Sequence, residues 1–249
     1  MKLCMFSPKD ADLERGWPGR VDGDRVVQLA AQTLEAFFTG GGGAREHAEY
    51  RLDDIEFRPP ILHPPSVRVF AAFQRHEAPF FSFRNTAPIF GHEDGIPYPE
   101  GTRELDYGLG IAAVIGADGA IGGLTLANDW TARDLERAER KAGFGPSKSK
   151  DFALSIGPLL VTPDELTDAA SAMIARVNGE ERLGGELGEL AYSWQELADH
   201  AARNTVLRPG DLLVCSSGGS AGPWLEAGDM VELELAGIGV LRNRISTPA

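Results

Sequence analysis

Three short segments concentrate the side chains that could do chemistry. They are Phe73–Glu77 (FQRHE), Asn128–Asp134 (NDWTARD) and Lys148–Phe152 (KSKDF). His76 has an imidazole side chain, which suits proton transfer. Arg133 and Lys148 are cations that can bind a carboxylate or a developing enolate. The competing interpretation is structural, with an ordinary histidine and with the two cations in ion pairs with Asp134 and Asp151.

The two cysteines, Cys4 and Cys215, lie far apart and in no metal-type spacing. We expect both to be reduced thiols, because the N-terminus shows no secretion signal. Cys215 lies in a Gly/Ser-rich segment, so a catalytic thiol is a weaker alternative for it.

Composition limits the partners. The 249 residues carry a net charge of −13 and are 43% hydrophobic. The acidity argues against nucleic acid and anionic membranes, which attract clustered Lys and Arg. No apolar run reaches the roughly 18 residues of a membrane span. We therefore expect a soluble cytoplasmic protein that binds small molecules, with no nucleic acid and no membrane partner.

Residues 1–62 are expected to form a small N-terminal module. It contains strands at Lys2–Phe6 and Arg25–Leu29 and a helix at Ala30–Phe38, which Gly40–Gly43 ends. Four prolines between positions 59 and 65 form a stiff connector. We place the domain boundary at 62/63.

Residues 63–249 hold the three segments and are strand-rich. The strands are predicted at Val67–Phe73, Leu109–Ile115, Ile121–Ala127, Pro158–Thr162, Ala172–Val177, Asp211–Val214 and Met230–Leu235. A tight turn is predicted at Gly116–Gly119. Helices are predicted at Thr131–Lys141 and Trp194–Arg203, with Thr131 and Ser193 as caps. The pattern is typical of a β-rich α/β domain with turns of a barrel or roll.

Six motifs in register resemble the fumarylacetoacetate hydrolase (FAH) family over nearly the whole chain. They are LDYGLGIAAVIGADG at 105–119, NDWTARD at 128–134, 148–158, VNGEER at 177–182, RPGDLLV at 208–214 and 225–243. The resemblance implies an α/β, β-rich fold: an FAH-type mixed β-sandwich roll or barrel with a small N-terminal α+β module. It also implies a homodimer.

The resemblance implies an enzyme for β-dicarbonyl or 2-oxo acid substrates. Members hydrolyse C–C bonds, decarboxylate, isomerise or hydrate such compounds. In these sites Mg²⁺, Mn²⁺ or Ca²⁺ holds the dioxo group and stabilises its enolate.

This chain departs from the family at the metal site. The resemblance implies two glutamates at i and i+2 plus the first aspartate of NDxxxRD as ligands. Gly108 and Gly110 stand at the glutamate positions, and Asp129 remains. Val69 stands where some relatives have a further aspartate. One carboxylate holds Mg²⁺ poorly, so we expect no resident cofactor, with Mg²⁺ or Mn²⁺ at most weakly held.

A slipped register is the alternative, with Glu104 and Asp106 as the ligands. They share strand parity with the two glycines but would lie roughly 13 Å back along the strand. The motifs on either side leave no room for a gap, so we disfavour it.

The remaining site residues are also implied by the resemblance. His76 matches the general base, and Arg133 and Lys148 match the substrate-binding cations. Glu136 stands where relatives often carry glutamine, and Ser216, Ser217 and Gly218 belong to a loop that would contact substrate. Many relatives have a glutamate three residues after the general-base histidine, where it forms a water-activating His–Glu pair, and this chain has Pro79 there. His92 is expected in a solvated loop.

Three hypotheses follow. The first is an FAH-like hydrolase, lyase or isomerase that depends weakly or not at all on metal, perhaps with a proton-transfer or ring-closing role in specialised metabolism. The second is a non-catalytic ligand-binding or scaffold protein. The third is an ordinary metal-dependent hydrolase whose ligands lie elsewhere in the chain.

Overall fold

The structure, a computed structural model, describes residues 1–166, 172–217, 219 and 223–247. The first nine strands are β1 (Lys2–Pro8), β2 (Trp17–Asp22), β3 (Arg25–Leu29), β4 (Glu46–Arg51), β5 (Ile55–Arg58), β6 (Val67–Phe70), β7 (Phe81–Arg84), β8 (Ile89–Phe90) and β9 (Gly95–Pro97). The next five are β10 (Leu105–Asp106), β11 (Leu109–Ile115), β12 (Ile121–Asn128), β13 (Thr131–Ala132) and β14 (Leu154–Val161). The last five are β15 (Ala172–Val177), β16 (Glu180–Glu186), β17 (Leu212–Ser216), β18 (Met230–Leu235) and β19 (Gly239–Ser246).

Three short α-helices accompany the strands in the described part of the chain. They are α1 (Leu34–Thr39), α2 (Arg133–Lys141) and α3 (Trp194–Ala202). Single 3₁₀ turns lie at Leu52–Asp54, Ala117–Gly119, Lys148–Lys150 and Leu187–Glu189. The fold is therefore mostly β, as the sequence predicts.

The strands form one large sheet and two smaller ones. The large sheet has the order β4-β3-β2-β1-β14-β12-β11-β17-β6-β7, with β5 beside β1 and β8 beside β14. A second sheet has the order β16-β15-β18-β19-β9, and β10 pairs with β13. Parallel pairs (β6 with β17, β8 with β14, β9 with β19) make the sheets mixed. Within the described residues the strands do not close into a barrel, so a roll describes the fold better.

Strand β11 forms the centre of the core. It lies between β12 and β17, and all its residues are buried. Leu109, Ile111, Ala113 and Ile115 pack in one hydrophobic cluster, whereas Ala112 and Val114 pack in a second. Alternate side chains of a strand face opposite sides of a sheet, so an unbroken apolar run serves a strand covered on both faces.

Two predicted helices begin at other residues than expected. Helix α1 begins at Leu34 rather than Ala30, because the side chain of Thr33 accepts a hydrogen bond from the backbone N–H of Ala36. The predicted cap at Thr131 is wrong: this residue lies in β13, and Ala132 is the N-cap of α2. Ser193 is confirmed as the N-cap of α3, with a capping box to Glu196.

Several strands were longer, shorter or unforeseen. The strand predicted at Val67–Phe73 ends at Phe70, and Pro158–Thr162 is the later half of β14. The predicted tight turn is a 3₁₀ turn with Asp118 at φ 53°. Strands such as β4 and β16 escaped notice because they are mostly exposed and lack apolar alternation.

The large sheet crosses the expected domain boundary at 62/63. Strand β1 pairs with β14, and β5 pairs with β1. The first sixty-two residues thus share a sheet with the rest of the chain, and their independence stays a prediction.

Candidate active site

Three strand ends converge at Gly108, one of the two positions where a glycine replaces a glutamate of the family. Gly108 directly precedes β11, Asp129 directly follows β12, and Ser216 ends β17. Because β11 runs antiparallel to both neighbours, its beginning lies beside their ends. The amide of Gly108 donates to Oδ1 of Asn128 at 2.9 Å and fixes this junction.

A cavity of about 360 Å³ opens at this junction. Its charged lining residues are Arg84, Arg133, Arg140, Lys150, Asp129 and Glu136. Four cations and two carboxylates give this lining a formal charge of +2, although the chain as a whole carries −13. A cavity of this sign favours an anionic ligand.

Asp129 is the centre of the charge network and is only 3% exposed. Its Oδ1 accepts from Nε of Arg84 at 2.9 Å, and its Oδ2 accepts from Nη2 of Arg84 at 3.1 Å. Oδ2 also accepts from Nζ of Lys150 at 2.6 Å. Burial alone would raise the pKa of Asp129, but Lys150 and Arg84 outweigh it and lower the pKa to about 2.

Lys150 is 8% exposed and is held from two sides. Its Nζ donates to Asp129 and to Oγ1 of Thr131 at 2.5 Å. An ammonium carries three N–H groups, and the third has no acceptor among the residues that the structure describes. Burial lowers the pKa of Lys150, while Asp129 opposes the shift.

A second ion-pair chain runs along α2. Nε of Arg133 donates to Asp106 at 2.8 Å, and its Nη1 donates to Glu136 at 3.0 Å. Glu136 also accepts from Arg140 at 3.0 Å, as expected for residues four apart on a helix. Burial would raise the pKa of Glu136, but Lys150 and the two arginines lower it. Burial dominates at Asp106 and raises its pKa despite Arg133.

The two glycines leave no room for the family's glutamates without rearrangement. A Cβ at residue 108 would lie 2.5 Å from Oγ of Ser216, and a Cβ at residue 110 would lie 2.9 Å from the carbonyl oxygen of Cys215. The neighbouring strands have closed around these glycines.

The residues present do not fit the divalent cation of the family. Both oxygens of Asp129 already accept hydrogen bonds from cationic side chains. Across the described ranges, no group of three or more His, Cys, Asp or Glu side chains could hold a metal ion. The slipped register does not supply ligands either, because Glu104 pairs with Arg137 and Asp106 with Arg133. Val69 contributes an apolar wall to the cavity.

The structure brings only part of the predicted site together. The predicted site residues that line the cavity are Arg133, Glu136, Asp129, Gly108, Ser216 and Ser217. Gly218, a predicted substrate contact, lies outside the described residues. Gly110 is the second residue of β11 and pairs with Ser216, which lines the cavity.

His76 does not line the cavity. Its side chain is exposed, and its ring packs against Phe80 with centroids 5.7 Å apart. Phe80 does line the cavity, so the ring of Phe80 lies between His76 and the cavity. The backbone of His76 is tied to Tyr192, whose hydroxyl accepts from the amide at 2.6 Å and donates to the carbonyl at 3.0 Å.

Lys148 does not reach the cavity either. Its side chain is 80% exposed and pairs with Asp151, which is the structural alternative considered above. Lys150, two residues further on, takes the buried position. The 3₁₀ turn sets this choice, because Glu139 accepts hydrogen bonds from Ser149 Oγ at 2.6 Å and from its amide at 3.1 Å.

Two other expectations concern residues away from the cavity. Cys215 is fully buried within β17, and burial raises the pKa of its thiol. That environment does not support a thiolate nucleophile. His92 accepts a hydrogen bond from the amide of Arg242 at 3.2 Å and packs against Phe57.

Sequence reasoning missed Arg84, Arg140 and Lys150. Lys150 carried a signal, since it lies in KSKD beside the lysine that was chosen. Arg140 follows from Glu136 by helical spacing. Arg84 carried no signal, because it lies 45 residues before Asp129 on the edge strand β7.

Fold and site together define a β-rich protein with a charged cavity at the ends of central strands. The family model for the C-terminal domain of fumarylacetoacetate (FAA) hydrolase matches residues 63–246. The chain belongs to the fumarylacetoacetate hydrolase family, whose members are enzymes.

Individual relatives cover most of the chain. An uncharacterized protein of Methanocaldococcus jannaschii is 32% identical over 179 residues, covering 68% of this chain and 73% of that protein. Oxaloacetate tautomerase YisK of Bacillus subtilis is 29% identical over 227 residues, covering 79% and 75%.

A solved structure shows the same fold. Maleylpyruvate hydrolase from Sphingobium sp. SYK-6, in complex with manganese(II) and pyruvate, superposes with a TM-score of 0.78 at 19% identity, covering 100% of both chains. Some members of the family thus bind a divalent metal ion. No helix in the described part of this chain is long and apolar enough to cross a membrane.

Proposed function

We propose that this protein is an enzyme that interconverts enol and keto forms of an anionic 2-oxo acid or β-dicarbonyl compound, without a tightly bound divalent cation. The observation that carries the proposal is the cavity at Asp129, whose lining is formally +2 and whose retained carboxylate is already bound by two cations. Such a site attracts anions and has no carboxylate left for a metal.

The chemistry needs a proton to move and a charge to be held. When a proton leaves the carbon beside a carbonyl, the electron pair moves to the carbonyl oxygen and forms an enolate. Fixed cations beside that oxygen stabilise the enolate more than the neutral ketone. We assign this role to Arg133 and Lys150, with Lys150 taking the part first expected of Lys148. Ser216 and Ser217 line the same wall.

His76 remains the proposed proton carrier, on the strength of its motif. It is separated from the cavity by Phe80, so it would act only after the segment between β6 and β7 moves. Proton transfer suits this site better than hydrolysis, because the residues present do not fit an ion that would generate hydroxide. The oxaloacetate tautomerase among the relatives supports the same preference.

The test is an ultraviolet assay of oxaloacetate enol–keto interconversion, together with acylpyruvate hydrolysis, on protein treated with chelator. We expect tautomerisation that chelator leaves unchanged and that falls at least tenfold in Lys150→Met, while the matched control Lys148→Met keeps wild-type activity. Activity that appears only with added Mg²⁺ or Mn²⁺ would refute the metal-independent part. If the protein accelerates neither reaction, the proposal that it is an enzyme is refuted.

A second candidate is a non-catalytic protein that binds oxo acids. The exposed position of His76, outside the cavity, favours it. It predicts binding of oxaloacetate with no turnover in the same assay, and no effect of His76→Gln on binding.

The homodimer and the cytoplasmic location also stay proposals, as do lyase and decarboxylase activities. Light scattering of the purified protein would test the dimer, since one chain has a mass of 26.7 kDa.

A further inference from the structure

The Asp129 centre differs from the family's metal centre in net charge. A divalent ion with three carboxylates has a formal charge of −1. Here the two glutamates are glycines, and Asp129 is bound by Arg84 and Lys150. One carboxylate and two cations have a formal charge of +1. With the family's own substrate-binding lysine counted, the metal centre has a formal charge of 0, so the centre here is more positive by one charge and should attract an anion.

Arg84 has no donor nitrogen to spare for a ligand. Its Nε and Nη2 bind Asp129, and its Nη1 donates to Oγ of Ser82 at 2.7 Å. The guanidinium is planar and rigid, and its bidentate grip fixes the carboxylate in one orientation. Arg84 thus supplies charge and positions Asp129.

Lys150 has a donor to spare. Two of its three N–H groups are used by Asp129 and Thr131, and the side chain lines the cavity. A buried cation that is already paired has lost its water shell, so its remaining N–H gains strength when it meets an anion.

Gly108 lines the same cavity beside this donor. A Cβ there would lie 2.5 Å from Oγ of Ser216 and 3.4 Å from Cβ of Asp129. The cavity wall at this point therefore consists of the Gly108 backbone and the Ser216 hydroxyl.

We propose that Arg84 and Lys150 replace the divalent cation of this fold, and that the free N–H of Lys150 directly binds an oxyanion of a small planar dicarboxylate or enolate. Arg84 acts as a positioning residue, and Lys150 is the ligand contact. The inference deepens the proposed function, because it names the group that receives the substrate oxygen.

The probe is oxalate, a planar dianion that resembles the enolate of pyruvate and cannot turn over. Calorimetric titration into wild-type protein in excess chelator should give saturable binding. Lys150→Met should weaken it at least thirtyfold, and Lys150→Arg should recover part of the loss. The matched control Lys148→Met, which removes an exposed lysine two residues away, should bind as wild type does.

Direct observation of the wild-type lysines keeps the test independent of folding defects. The chain has five lysines, so ¹⁵N-lysine labelling gives few side-chain signals. Oxalate should shift the signal of the one buried, slowly exchanging ammonium and leave the others in place. Near-ultraviolet circular dichroism of buried Trp130 checks that each variant is folded.

The outcomes separate this inference from the proposed function. Oxalate binding that depends on Lys150, in a protein that turns over no oxo acid, would uphold the inference and refute the enzyme. Absence of binding in chelator, equal binding by Lys150→Met, or binding that requires Mn²⁺ would each overturn the inference.

Discussion

The hydroxyl of Ser216 occupies the space that a side chain at Gly108 would need: a Cβ on residue 108 would lie 2.5 Å from that Oγ. The two residues sit on neighbouring strand ends, where Gly110 pairs with Ser216. The loss of the family's first glutamate is therefore accompanied by a repacked wall rather than by an empty hole.

Gly108→Ala should destabilise the protein by about 1–3 kcal/mol, the usual cost of forcing an extra methyl group into packed space. Adding Ser216→Gly should recover part of this loss, because it removes the nearest atom that the methyl meets and leaves the carbonyl oxygen of Asp129 at 3.0 Å. Urea unfolding of the wild type, both single variants and the double variant measures the coupling. Strictly additive effects would contradict the contact.

Replacing Asp129 by alanine should cost about 3–5 kcal/mol of unfolding free energy, since it leaves Arg84 and Lys150 as buried cations without their carboxylate. The exposed pair of Lys148 and Asp151 is the control. Lys148→Met should change stability by less than about 1 kcal/mol, because exposed ion pairs contribute little. Similar losses in both variants would show that the Asp129 network is not buried in solution.

Stability should fall as the pH drops from about 4 to 2. The pKa of Asp129 is lowered in the folded state to about 2 from an ordinary value of 3.8. Its charged form therefore stabilises the fold above pH 4, and this contribution is lost as the pH falls through the folded pKa. The size is about 2 kcal/mol. Urea unfolding at each pH measures it.

Asp129→Asn provides the reference for that measurement, because its amide does not titrate. The difference in unfolding free energy between wild type and this variant should shrink by about 2 kcal/mol between pH 4 and 2. Parallel curves over this range would mean that Asp129 does not titrate as described.

Tyr192→Phe should loosen the segment that carries His76, because the tyrosine hydroxyl makes both hydrogen bonds to the His76 backbone. We expect the amide of His76 to exchange with deuterium at least tenfold faster, at a stability cost of about 1 kcal/mol. Amides of β11 serve as the internal control and should keep their protection. Unchanged exchange at His76 would argue that other contacts hold the segment.

The amino-acid sequence by itself determined the family, the β-rich class and the central strand. The strand predicted from the unbroken apolar run at Leu109–Ile115 is confirmed as β11 with the same first and last residues. A strand buried on both faces needs apolar residues at every position. The sequence alone likewise shows that glycines, Gly108 and Gly110, stand where the family has two glutamates. Exposed strands such as β16 were missed because their pattern resembles that of loops.

Only the tertiary structure decided which cations surround Asp129. The sequence does not indicate that Arg84 contacts Asp129, because Arg84 lies 45 residues earlier, on an edge strand. The choice between Lys148 and Lys150 depends on one 3₁₀ turn held by Glu139. Such a turn advances by about 120° per residue, so the two lysine side chains point in different directions. Motifs fix residue types along the chain, whereas charge networks depend on distances between strands that only folding sets.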